Sequence, residues 1–366
     1  MPAVTKPALL LDKEKCLKNI SRMAEKAQRN NLNFRPHFKT HQSHEIGRWF
    51  RDFGVNTITV SSLSMAEYFA QDGWTDITVA FPANVHEHEL INRLAATITL
   101  NLLVESPVIV QQLRERLIHP IGLFVKIDSG YHRTGVNPSD KDLLDSILNE
   151  ISQSEKFSFK GFLTHAGHSY KARSRNELER IHTESLAIMR NLNDRYQKQY
   201  PDLVISIGDT PSCSVLEDFS GTDEMRPGNF VFYDVTQTAI GSCREDDVAV
   251  CMACPVVSKH PQRNELVVYG GSVHFSKDSL NENGSLIFGK VVNLTESGWD
   301  TRPTMLYVKS LSQEHGIIHG PAEAIRSVKE GDVLGILPVH SCLTADCMGR
   351  YLTTQGVAIT RFRYHP

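Results

Sequence analysis

Apolar positions along this chain change their spacing many times. Between residue 14 and about 230, the short β-rich runs "NFRPHF", "NTITV", "DITVAF", "TITLNLLV", "IGLFVKID", "FKGFLTH", "LVISIG" and "DEMRPG" alternate with stretches of helical periodicity. Alternating strands and helices require parallel strands joined by right-handed crossovers. Eight such units predict a closed (β/α)8 barrel, an α/β fold of the TIM-barrel type. After "RPGNFVFYD" the texture changes. "DVAVCMACPVVS", "ELVVYGG", "TMLYVKSL" and "DVLGILPVH" are β runs broken by Gly, Pro and Asn, and they predict a mostly β second domain. The opening run "ALLLD" suits a strand of either part. The expected division is a barrel over residues 13–235 and a β domain made of 1–12 with 236–366.

Composition narrows the partners. The 366 residues are 40% hydrophobic and 22% charged, with 39 basic and 42 acidic side chains for a net charge of −3, and no long basic block. That excludes the electrostatic footprint of a nucleic-acid binder and favours a small-molecule partner. The N-terminal apolar run is too brief for a secretory segment or a membrane span, so a cytoplasmic protein without membrane contact is expected. Seven cysteines in so long a chain form no disulfide framework. Cys251 and Cys254 make a C-x-x-C, but inside an apolar run that reads as a core strand, which makes them structural.

In a parallel barrel the reactive groups stand at the C-terminal ends of the strands. Those ends are polar here: Lys39 after the first strand, Arg133 in "DSGYHRTG" after the fifth, "THAGHSY" after the sixth, "GDTPS" after the seventh and "RPGNF" after the eighth. His37 and His41 flank Lys39 two positions to either side. "GDTPS" offers a glycine turn, the hydroxyls of Thr210 and Ser212, and a helix start whose N–H groups could cradle a phosphate. Gly228 allows close backbone approach in the eighth loop, and loops seven and eight form the usual phosphate site of this architecture. A phosphate site and a lysine on opposite sides of one barrel mouth suggest pyridoxal 5'-phosphate, whose aldehyde condenses with a lysine amine.

The stretches "RPHFKTHQ", "DSGYHRTGV", "HAGHSY", "GDTPS" and "RPGNFVFYD" resemble the motifs of fold type III pyridoxal-phosphate enzymes related to alanine racemase. The resemblance is greatest to the D-serine dehydratase and D-threonine aldolase group, and it runs nearly end to end. It implies an alanine racemase-like barrel, a C-terminal β domain and a homodimer. By motif position it implies Lys39 as the cofactor's lysine, Arg133 at the phenolate edge, and His165 or Tyr170 against the ring. Gly208, Asp209, Thr210, Gly228 and Asn229 would line the phosphate, Asp209 through its backbone only, since a carboxylate repels a dianion. Partial burial beside Arg133 would lower the pKa of Lys39 toward a working base.

"LPVHSCLTADCMG" places His340 and Cys342 two apart, and on an extended segment such residues share one face. Two ligands alone do not define a zinc site. The resemblance supplies the rest, implying a His-x-Cys metal pair where the aldolases carry His-x-Asp, and the soft thiolate favours Zn2+. Glu314 and His315, in "QEHG", match a family stretch near the metal, with His315 a candidate base. The implied reaction is loss of water from a β-hydroxy D-amino acid, D-serine giving pyruvate and ammonia. Alternatives are retro-aldol cleavage of D-threonine or 3-hydroxy-D-aspartate, racemisation, and a non-catalytic pyridoxal-phosphate protein.

Overall fold

The computed structural model describes residues 3–363. By packing, these fall into two compact units, one formed by residues 21–228 and the other by the residues up to Ile20 with those from Asn229 on.

The first unit is the expected barrel. Its strands are Asn33–Phe34, Ile58–Val60, Asp76–Pro82, Thr99–Val104, Ile121–Ile127, Phe157–Thr164, Val204–Ile207 and Glu224–Met225. Each lies parallel to its sequence neighbours from the second to the eighth, and the eighth pairs with the first. A parallel bridge between His37 and Thr59 joins the first strand's extension to the second, with Phe38 N–H donating to Thr59 O at 2.8 Å and Thr59 N–H to Pro36 O at 2.9 Å. That bridge links the two edges of the sheet. The fifth strand is buried at every position, as expected where side chains alternate between the barrel interior and a helical layer. The first and eighth strands are only two residues long, shorter than their apolar runs suggested, because Pro36 and Pro227 follow them closely and proline donates no ladder hydrogen bond.

A charged layer fills the barrel at those short strands. Glu224, 2% exposed, accepts from Arg35 Nε at 2.6 Å, Asn33 Nδ2 at 2.8 Å and Ser206 Oγ at 2.6 Å, while Arg35 also donates to Asp76 Oδ1 at 2.7 Å. Removing Glu224 takes from the buried Arg35 its fully buried anionic partner and leaves it only the partly exposed Asp76. Glu224→Ala is therefore expected to cost about 3–5 kcal/mol, measured by urea denaturation, while an exposed control such as Glu179→Ala stays within about 0.5 kcal/mol.

In the second unit, Ala8–Leu11 lies between Val250–His260, antiparallel with Leu10 opposite Cys251, and Arg350–Thr353, parallel with Leu10 opposite Leu352. The opening strand thus belongs to the β unit. Val250–His260, Glu265–Tyr269, His315–His319, Tyr307–Leu311, Gly289–Thr295 and Val333–Pro338 pair in turn, and the last returns to the first. Cys251 and Cys254 are buried on this ring, and burial pushes the Cys251 thiol up to about 12, which fits a structural role. "PVHSCL" departs from its expected extended form. Ser341–Met348 is a helix with His340 at its N-cap, and Ser341 N–H donates to the Asp234 carboxylate at 3.1 Å. A remote side chain caps the helix start, which local sequence does not reveal. Among the described residues, no helix is long and apolar enough to cross a membrane.

Candidate active site

Two polar constellations stand out, one in each unit. In the barrel, Lys39 is the exposed tip of a turn whose flanks are buried. Phe38, fully buried, packs against Phe50, Phe69 and Trp74 with ring centroids 4.9–5.1 Å apart, and Thr40 and His41 are buried on the other side. These contacts fix the backbone from which Lys39 projects, an arrangement that aims one side chain while ordering little else. Lys39 N–H donates to His37 Nδ1 at 3.3 Å, and Gln42 Nε2 donates to Lys39 O at 2.9 Å. The expected partial burial of Lys39 is not found.

Several cations share this end of the barrel. Burial first, then the charges of Lys39, Arg226, His165 and Arg133, hold the His37 imidazole well below its usual value. His165 is also held well below its usual value, by burial first and then by Lys39, with Lys126 and Arg133 adding to it against a hydrogen bond to Gly208 O that raises it. It donates from Nδ1 to Gly208 O at 2.5 Å, so the neutral ring carries its proton there and leaves Nε2 unprotonated. Arg133 is exposed and stacks over Tyr131 at 5.0 Å. Two members of this group were missed in the sequence. Lys126, on the fully buried fifth strand, is brought down to about 7 by burial and by Arg226, and its Nζ donates to Ile127 O at 2.9 Å. Arg226, 4% exposed, donates from Nε to Ser206 Oγ at 2.6 Å and from Nη2 to Thr164 O at 2.6 Å. A basic residue inside an otherwise apolar strand was the available signal for Lys126.

The "GDTPS" segment behaves as a turn into the short helix Thr210–Val215. Asp209 Oδ1 accepts from Ser212 N–H at 2.8 Å and from Ser169 Oγ at 2.8 Å, so its carboxylate serves as an N-cap and only its backbone is left for an anion. Thr210 N–H donates to Tyr170 Oη at 3.4 Å. The hydroxyls Thr210 Oγ1 and Ser212 Oγ are buried with no protein partner. Orphaned hydroxyl donors beside a cationic cluster suit an anionic phosphate, so these residues fit pyridoxal phosphate. The glycines have a more structural role than expected. A Cβ at Gly228 would stand 2.7 Å from His37 O, and one at Gly208 2.8 Å from the Arg226 carbonyl carbon, so both permit adjacent strand ends to close up.

In the β unit, His340 Nδ1 lies 3.1 Å from Asp278 Oδ2. Burial opposes charging this imidazole, but hydrogen bonds to Asp278 and Cys342 push its pKa up to about 11. Asn229, expected at the phosphate, instead turns its amide to Asp234 Oδ2 at 2.7 Å, Ser341 Oγ at 3.1 Å and Cys342 Sγ at 3.5 Å. Cys342 occupies the first turn of its helix. Among the described residues, no group of three or more His, Cys, Asp or Glu side chains is placed to hold a metal. The His340 imidazole and Cys342 thiol are residue types that hold zinc, and two such side chains suit a metal that keeps open positions rather than a closed structural site. His315 begins strand His315–His319, exposed and opposite Tyr269, and Glu314 lies 3.8 Å from His274.

Comparison with known proteins agrees with this layout. Residues 11–235 match the family described as "Alanine racemase, N-terminal domain", and residues 249–354 match "Putative serine dehydratase domain". A D-serine dehydratase of Dictyostelium discoideum is 30% identical over 361 residues, covering 91% of this chain and 89% of that protein. A D-threo-3-hydroxyaspartate dehydratase of Delftia sp. is 29% identical over 374 residues, covering 98% and 97%. A solved cysteine-to-alanine variant of D-threo-3-hydroxyaspartate dehydratase in its metal-free form superposes with a TM-score of 0.92 at 26% identity, over 99% of each chain. Barrel, β unit and both matched segments together place this chain in the D-serine dehydratase and D-threonine aldolase family of the alanine racemase fold.

Proposed function

We propose that this protein is a lyase that removes water from a β-hydroxy D-amino acid, with D-serine as the expected substrate and pyruvate and ammonia as products. The observation that carries the reading is the set of strand-end loops of the barrel: an exposed Lys39 on a turn with buried flanks, cations whose charges reach His37 next to it, and, after the seventh strand, the buried hydroxyls of Thr210 and Ser212 with no protein partner. The relatives named dehydratases support the reaction class.

Thr210, Ser212 and the backbone at Gly208 and Asp209 would hold the phosphate of pyridoxal phosphate, and His340 and Cys342 would hold Zn2+. When bound, the cofactor supplies an electron sink for the α-carbon and the zinc a Lewis acid for the β-hydroxyl. Lys39 Nζ removes the α-proton, which requires it to be unprotonated at the moment of transfer. His165 stays neutral and presents an uncharged ring, its orientation fixed by Gly208 O. Arg133 would supply a cation to the bound cofactor's phenolic oxygen, and Tyr170, whose Oη accepts from Thr210 N–H, would border the phosphate.

The test is a panel of D-serine, D-threonine and 3-hydroxy-D-aspartate, with and without a zinc chelator, scored for keto acid, ammonia, glycine and aldehyde. Keto acid and ammonia in equal amounts, abolished by chelation, are expected. Glycine with an aldehyde would replace this reading by retro-aldol cleavage, and a chelator-resistant yield of the enantiomer would replace it by racemisation.

A further inference from the structure

A soft metal held by only two protein side chains depends on how those side chains are oriented. An imidazole can bind a cation through either ring nitrogen, and in solution the two neutral tautomers interconvert freely. In this protein one nitrogen is already engaged. His340 Nδ1 faces Asp278 Oδ2 at 3.1 Å, and that carboxylate oxygen also accepts from Ser276 Oγ at 2.9 Å. Asp278 N–H in turn donates to Ser276 Oγ at 3.2 Å, closing a small ring that holds the carboxylate in place. Ser276 adopts a positive φ of 69° at the end of the short helix Ser272–Phe275, so the backbone turns sharply just before Asp278. That helix is tied to the one following His340 by the Thr344 Oγ1 hydrogen bond to Phe275 O at 3.0 Å. The carboxylate and the imidazole therefore sit on two segments that are joined independently of their own contact.

We propose that Asp278 is a positioning residue for the metal: its carboxylate keeps the His340 proton on Nδ1, leaving Nε2 as the metal-binding nitrogen beside the Cys342 thiolate. The inference rests on the reading of His340 and Cys342 as metal ligands. A carboxylate behind a ligating histidine fixes the ring's tautomer and orientation and raises its basicity, and loss of such a group lowers metal affinity by roughly 10–100-fold. Asp278 is half-exposed and lies in the polar segment "SKDSLNENG", where nothing in the amino-acid pattern marks it as different from an ordinary loop carboxylate.

The experiment measures the zinc dissociation constant of the full-length holoenzyme by competition with a chromophoric chelator, for the wild type and for Asp278→Ala, Asp278→Asn, His340→Ala and Cys342→Ala. Asparagine keeps an oxygen that can accept from Nδ1–H, so it should rescue part of what alanine loses. The expected result is a zinc affinity roughly 10–100-fold weaker in Asp278→Ala and a smaller loss in Asp278→Asn. In cobalt-substituted samples the thiolate charge-transfer band should persist in both, because Cys342 is untouched, while the d–d bands move in Asp278→Ala. Wild-type affinity in Asp278→Ala would overturn the proposal, as would equal losses in the alanine and asparagine variants. Wild-type affinity in His340→Ala and Cys342→Ala would instead overturn the underlying metal assignment, so the two failures are told apart.

Discussion

Lys39→Ala is expected to abolish the visible absorbance of the bound cofactor and to reduce keto acid release by at least roughly 10^4-fold, the upper range for loss of a proton-transfer group. Two functions would disappear together, because in the proposed mechanism the same amine anchors the aldehyde and moves the α-proton. The fold should be unaffected. Lys39 is exposed, and the turn that carries it is held by Phe38, Thr40 and His41, none of which the substitution touches. A far-ultraviolet circular dichroism spectrum and a urea midpoint equal to wild type would show this. His37 and His165 provide a further check. Both are held below their usual value by burial and, next in order, by Lys39, so removing its charge should allow each to protonate at a higher pH. Nuclear magnetic resonance titration of the two imidazoles in the variant would record that rise. Retention of both visible absorbance and turnover would remove Lys39 from the reaction altogether.

The candidates the sequence offered are those where chemistry coincides with a strand end. Lys39, "GDTPS" and "RPGN" stood out because a parallel barrel places its loops at one face, and polar residues there contrast with the apolar runs before them. Asn229 shows what motif position leaves out. Its place suggested a phosphate contact, and nothing local announces that its Nδ2 is engaged by Asp234, Ser341 and Cys342, two of them more than a hundred residues away. The helix at His340 was missed for a related reason. "LPVHSCL" alternates like a strand, and what converts it is an N–H bond from Ser341 to Asp234, a contact only the tertiary structure supplies. Arg226 sat inside a quoted motif without a role, since a residue at the end of a two-residue strand gives no periodicity by which to tell inside from outside. Asp278 had no signal at all. Fold class was legible because eight strand-helix alternations are redundant, whereas a hydrogen bond between distant loops leaves one residue's worth of information on each side.

Cys342→Ala should separate the two halves of the chemistry. Zinc content is expected to fall to background and keto acid release by about 10^3-fold or more, the scale at which loss of a Lewis acid on a poor leaving group is felt. The visible absorbance of the cofactor should remain, because Lys39, Thr210 and Ser212 are untouched by the substitution. Collapse of the local structure is not expected, since the Asn229 Nδ2 keeps Asp234 and Ser341 as partners when the thiol is gone. Cys342→Asp sharpens the argument. It restores an anionic ligand of comparable reach but replaces a soft sulfur by a hard oxygen, which should shift the order of metals that support turnover from zinc toward manganese. Elemental analysis together with the keto acid assay, run with each metal in turn, measures both effects. If Cys342→Ala retained zinc and wild-type turnover, the thiolate would be a bystander and the leaving hydroxyl would have to be activated by some other group.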